Sequence, residues 1–160
     1  MHTPAIFCLT VTLIAAGCRD GNEPRKALPL AITTDSSSYT RPAGSSNLSV
    51  EVGFTNNSAA TIWVGSCGPG YSSRPGTSFV LAVYGVQLVS YATTPPTVSD
   101  IAPGCSAPIP YALAPGTGVR MGVILGQIGR FAFSAPFSTT AGGAFDQRTG
   151  SADFTIIVGS

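Results

Sequence analysis

Between Asn47 and Cys67 the chain places a large apolar residue at every second position of its first half. Leu48, Val50, Val52 and Phe54 alternate with Ser49, Glu51, Gly53 and Thr55. A period of two puts the apolar side chains on one face of a strand and leaves the other face polar. Asn56, Asn57 and Ser58 follow. Short Asx side chains bond their own backbone and tolerate positive φ, so this run predicts a turn. Thr61 to Val64 brings the chain back as a second strand, with Cys67 just beyond it. The pattern predicts a hairpin around which the other strands assemble.

The remaining strands are shorter. Leu30–Thr34 reads as a first strand, and Asp35–Ser46 as a loop with a short edge strand near Tyr39. Residues 68–76 hold Pro and Gly at a density that a central strand does not tolerate, so they form a loop. Ser78–Tyr84 and Val86–Tyr91 read as strands broken by Gly85, and Thr93–Gly104 as a Pro-containing loop. Ala107–Leu113 contains Pro108 and Pro110, which assigns it to a sheet edge. Ala114–Gly118 is a turn, Val119–Leu125 and Arg130–Phe133 are strands, Ser138–Gly150 is a loop, and Asp153–Val158 closes the chain. Seven to eight short strands separated by turns, without helical periodicity, predict an all-β sandwich.

Charge narrows the function classes. Charged residues make up 9% of the chain and the formal net charge is +1, against about 25% charged residues in an average soluble protein. No Lys/Arg stripe is present, and phosphate neutralisation needs one, so no nucleic-acid partner is expected. Low charge with many turn formers and β-branched residues suits a small extracytoplasmic domain.

Ala5–Ala16 is a run of small, apolar and Thr residues that ends in Ile14-Ala15-Ala16-Gly17-Cys18. It falls short of the roughly 20 residues of a bilayer span. Small residues followed by Cys resemble the lipobox of bacterial lipoproteins. The resemblance implies cleavage before Cys18 and a diacylglyceryl group on its thiol, hence a membrane partner and an envelope location. Two features depart from the usual motif: Ala15 stands where Leu is common, and the preceding region has His2 but no Lys or Arg. An ordinary secretory peptide and a short N-terminal anchor are the other readings. On the lipoprotein reading, residues 1–17 are a signal peptide, 18–28 a charged, aperiodic tether, and 29–160 the domain.

Residues 29–158 also resemble the immunoglobulin-like domains of secreted bacterial lipoproteins. The likeness is carried by the early strand with its Asn-Asn-Ser turn, the Ala114–Val119 turn into a late strand, Gly129-Arg130-Phe131, and the final Phe154-Thr155-Ile156 strand. It implies an immunoglobulin-like sandwich. More distantly, the pattern looks similar to the sandwich of the intracellular proteinase inhibitor family, which would present the 68–76 loop. In antibody domains Cys precedes Trp, whereas here Trp63 precedes Cys67, so an inter-sheet Cys-Trp-Cys core is not expected.

The residues that carry common chemistries are sparse. The single His, His2, lies in the export segment, so the mature chain has no Ser-His or Cys-His couple and no enzymatic activity is expected. Asp35, Glu51, Asp100, Asp146 and Asp153 are scattered and read as solvated strand and loop charges. Glu51 and Asp153 could meet only by a chance pairing, as a glycosidase would need. Two cysteines alone make neither a zinc site nor an activated thiol, so no metal or other cofactor is expected. Removing Cys8 with the signal and acylating Cys18 leaves Cys67 and Cys105. In an oxidising compartment these two are expected to pair. Gly65–Gly70 lacks the Lys of a phosphate loop and reads as a turn.

Three residues are candidates for binding a protein or a glycan. Tyr71 and Arg74 stand in the 68–76 loop and are types enriched at binding hot spots. Sandwich domains bind largely through loops at their ends, so a partner is expected at this rim. Trp63 either faces out beside core-facing Ile62 and Val64 or fills the core in the opposite phase. The second is the commoner arrangement, because aromatic side chains dominate core burial.

Overall fold

The computed structural model describes residues 28–70, 80–101 and 105–159. Residues 1–27, with Cys18, and the loop positions Tyr71 and Arg74 lie outside the described residues. The protein is all-β: the described residues form twelve strands and no helix. In chain order these are β1 (Leu30–Thr34), β2 (Ser38–Arg41), β3 (Leu48–Asn56), β4 (Ile62–Pro69), β5 (Leu81–Val83), β6 (Gln87–Ser90), β7 (Thr97–Asp100), β8 (Ile109–Leu113), β9 (Gly118–Leu125), β10 (Gly129–Phe137), β11 (Gln147–Gly150) and β12 (Phe154–Val158).

The strands form three sheets consistent with a β-sandwich. The first has the order β1-β3-β9, the second β2-β12-β10-β6-β7 with β11 also on β10, and the third β5-β4-β8. The third sheet links the other two. Val80 bridges Arg120 of β9, and Trp63 of β4 bridges Ser138 at the end of β10. One apolar core fills the interior. The first sheet contributes Val50, Val52 and Phe54 from β3 and Val119, Met121 and Val123 from β9. The second contributes Phe131, Phe133 and Phe154, and the third Ile62, Val64 and Leu113. The period-two apolar residues of the sequence are therefore the inward faces.

Expectations change at five points. Residues 65–69, expected as a turn running into a loop, are strand in β4, where Gly65 pairs with Pro110 and Pro69 with Leu81. The other four follow. First, β3 and β4 are not a hairpin: β3 pairs with β1 and β9, whereas β4 pairs with β5 and β8. The Asn-Asn-Ser segment turns between sheets instead, and Asn56 explains why. Its fully buried amide donates to the carbonyls of Leu113 (2.8 Å) and Ala60 (2.8 Å), and its carbonyl accepts from the Ser58 N–H (2.8 Å) and hydroxyl (2.7 Å). Its backbone N–H donates to Thr117, and its C=O accepts from Gly116. The corner is thus tied to β8 and to the β8–β9 turn.

Second, the 93–104 and 138–150 regions contain β7 and β11, so the strand number exceeds seven to eight. Third, β10 continues through Pro136 although it is a central strand. Its pairing with β6 ends at Ser134, and the bridge to Trp63 begins at Ser138. The missing N–H of Pro136 falls in the gap between them. Fourth, Ile62 and Val64 face the core and Trp63 is half-buried on the opposite face of β4.

Replacing Asn56 tests the corner. Asn56→Ala leaves the buried Leu113 carbonyl without its side-chain donor, at a cost of about 2–3 kcal/mol. A fall in the urea midpoint at unchanged slope is the expected result. An unchanged midpoint would show that water replaces the amide.

Candidate functional site

The outward face of the first sheet is built from the alternate residues of β1, β3 and β9. Strand register arranges them in rows. Thr33 lies opposite Gly53, which lies opposite Arg120. One row along, Ala31, Thr55 and Gly118 are opposite one another. At the other end Glu51 pairs with Gly122, and Asp35 approaches from just beyond β1. The middle of this grid is a glycine, so the sheet surface dips there and the larger side chains stand around it.

The result is a groove of about 460 Å³ lined by Thr33, Asp35, Glu51, Gly53, Thr55 and Arg120, with Gly116, Gly118 and neighbouring backbone at one end. The glycines are fixed by close approach. A Cβ on Gly53 would lie 2.9 Å from the Thr33 hydroxyl, and one on Gly118 would lie 2.7 Å from the Phe54 carbonyl.

The carboxyl end is held in place by its surroundings. The Asp35 N–H donates to the Glu51 carbonyl at 3.2 Å, and Asp35 Oδ1 accepts from the Glu51 N–H at 3.2 Å. The same oxygen accepts the Tyr39 hydroxyl at 2.5 Å. Burial, and then this bond to Asp35, push the Tyr39 phenol up to about 12, so it stays a donor at neutral pH. Glu51 is 3% exposed although it points away from the core. Its expected status as a solvated strand charge is therefore corrected.

Arg120 closes the groove on the β9 side. Three other arginines lie among the described residues, and the guanidinium of each has a hydrogen-bond partner. Arg41 donates to the Gly126 carbonyl, Arg130 is paired with Asp153, and Arg148 donates to Gln87, Ser134 and the Gly85 carbonyl. The exposed Arg120 guanidinium hydrogen-bonds to none of the described residues. What results is a polar cleft with two carboxyls at one end, a guanidinium at the side and threonine hydroxyls between.

The residues singled out in the sequence are dispersed. Cys67 and Cys105 are bonded to each other. Cys67 lies in β4 and Cys105 stands shortly before β8, the antiparallel neighbour of β4, so the bond joins the end of one sheet and does not cross the core. Tyr71 and Arg74 lie outside the described residues. Trp63 is on the third sheet, apart from the groove lining. Glu51 and Asp153 are not brought together: Asp153 takes Arg130 on the second sheet. Among the described residues, no three His, Cys, Asp or Glu side chains gather as a metal site needs.

The groove was missed because its signal is an absence of bulk. Gly53 sits between Glu51 and Thr55 on the polar phase of β3, and Gly118 and Gly122 flank Arg120 on the polar phase of β9. Read together, those alternate glycines could have marked a recessed outer face. No protein-family model matches the chain, and the search of curated proteins finds no match.

Proposed function

We propose that this chain is an exported, lipid-anchored envelope module that binds a ligand without catalysing a reaction. The observation that carries the reading is the Cys67–Cys105 disulfide. Bonds of this kind persist in oxidising compartments and are rare in the cytosol. They agree with a lipobox-like segment that places Cys18 at a cleavage site. A rigid sandwich bearing a polar groove suits binding, and the absence of His from the expected mature chain removes the commonest acid-base residue. A lipid on Cys18 holds the domain at the membrane, with a ligand, protein or glycan as its second partner.

The anchor is tested by metabolic labelling with a clickable fatty acid. Label is expected on the parent chain and absent from Cys18→Ala. The parent is expected to stay with the membrane through a salt wash, since two or more acyl chains give stable anchoring. Label that persists in the variant rules the site out.

A proteinase inhibitor presenting the 68–76 loop is the second reading. The disulfide favours it by fixing Cys67, next to that segment in the chain. Inhibition of a trypsin-like protease that disappears with Arg74→Ala would select it.

A further inference from the structure

We infer that the groove on the first sheet recognises a small zwitterion of amino-acid or dipeptide size. This rests on the binding role proposed above and names the chemistry of the ligand. Three observations converge. The cleft volume of about 460 Å³ falls within the roughly 300–1,000 Å³ of small-molecule sites. It exceeds what a single ion needs. Its two carboxyl groups, Asp35 and Glu51, share one end, where Asp35 is pinned by the Tyr39 hydroxyl and the Glu51 N–H. Its guanidinium, Arg120, lies on the neighbouring strand beside them and engages none of the described residues, unlike Arg41, Arg130 and Arg148.

Register sets the spacing. Glu51 pairs with Gly122, and Arg120 lies two residues from Gly122 on the same face. Such diagonal neighbours are about 7–8 Å apart at the backbone. A zwitterion placed between them takes a charge-assisted bond of about 2.8 Å at each end. Its ammonium donates to the carboxyl end and to the threonine hydroxyls. Its carboxylate accepts from the forked guanidinium, whose two parallel N–H groups fit a carboxylate. The glycine floor lets the ligand backbone approach the sheet, and no aromatic side chain lines the groove for a sugar ring to stack upon.

Calorimetric titration of the full purified chain tests the assignment with four probes: alanyl-alanine, its N-acetyl derivative, its C-terminal amide, and glucose. Alanyl-alanine is expected to bind, and blocking either end to weaken binding at least about tenfold, the factor that separates charged from neutral partners at a charge-assisted bond. Arg120→Gln changes an exposed residue, so folding is expected to be retained, as circular dichroism would verify. This variant is expected to bind the acid and the amide equally while still rejecting the acetylated form. Glu51→Gln is expected to show the converse preference. Equal binding of all three peptides, or unchanged discrimination in Arg120→Gln, overturns the assignment. Binding of glucose alone overturns the ligand class while leaving the binding role in place. Failure of all four probes overturns the zwitterion, whereas the binding role falls only if immobilised chain also captures no ligand from envelope extract.

Discussion

Phe154→Ala is expected to lower stability by about 3–5 kcal/mol, the range for removing a large aromatic side chain from a packed core. Phe154 is 1% exposed and sits on β12, between β2 and β10. Its ring stacks on Phe133 at 5.0 Å between centroids and lies 5.8 Å from Phe131. Tyr39 meets it edge-on at 5.9 Å. Truncation removes all three contacts and opens a cavity that β-strand backbones cannot close without breaking their ladders. The consequence reaches the groove. Tyr39 is held by the Phe154 ring at one end and donates to Asp35 at the other. Loosening the ring should therefore weaken the positioning of Asp35 as well as the core. Urea unfolding measures the first effect. A change below about 1 kcal/mol would mean that the core refills the space, contrary to the usual cost of such a truncation.

The same cluster shows what the sequence could reveal. Phe131, Phe133, Phe154 and Ile156 were legible because each alternates with a smaller or polar residue along its strand, Ala132 in β10 and Thr155 in β12. The inward residues of β3 and β9 were legible for the same reason. β7 and β11 were not. All four residues of β7 are exposed, and of β11 only Thr149 is buried. Backbone pairing with β6 and β10 makes them strands, and a strand that buries almost nothing leaves no apolar period to read.

Partner choice was equally silent. Two strands joined by an Asx-rich turn suggest a hairpin, yet local turn chemistry serves a corner just as well. What separates the cases is the long-range bond from Asn56 to Leu113, 57 positions away. The phase of Trp63 was open for a related reason, since its short strand fits either face. In the third sheet Ile62 and Val64 form the core face of β4, and Trp63 lies on the opposite face. Glu51 was read as solvated because its strand phase is the polar one. It is nonetheless 3% exposed, and alternation along one strand carries no sign of that.

Loss of the Cys67–Cys105 bond is expected to cost about 4 kcal/mol in the chain-entropy account, less any relief of native strain. The bonded cysteines are 38 positions apart. The intervening chain contributes β5 to the third sheet and β6 and β7 to the second. Cross-linking it therefore restrains, in the unfolded chain, a segment that must find two separate sheets. Both cysteines lie near the place where β4 and β8 already pair. Ser66 already pairs with Ile109, and Cys67 follows Ser66 while Cys105 stands four positions before Ile109. The bond lies beside the Ser66–Ile109 end of that ladder, before the start of β8.

Cys67→Ala with Cys105→Ala, compared with the parent under non-reducing conditions, isolates the effect without leaving a lone thiol. The variant should fold to the same β-sheet signal but unfold at a clearly lower denaturant concentration. A difference below about 1 kcal/mol would show that the unfolded chain is already restrained in this segment, the usual reason such bonds contribute less than the entropy account gives. Because the groove lies on the first sheet, away from the bond, its ligand discrimination is expected to survive in the folded variant. A partner captured through residues 68–76 would instead bind more weakly, since Cys67 beside that segment would no longer be fixed. The double variant thus separates the two proposed binding surfaces in one measurement.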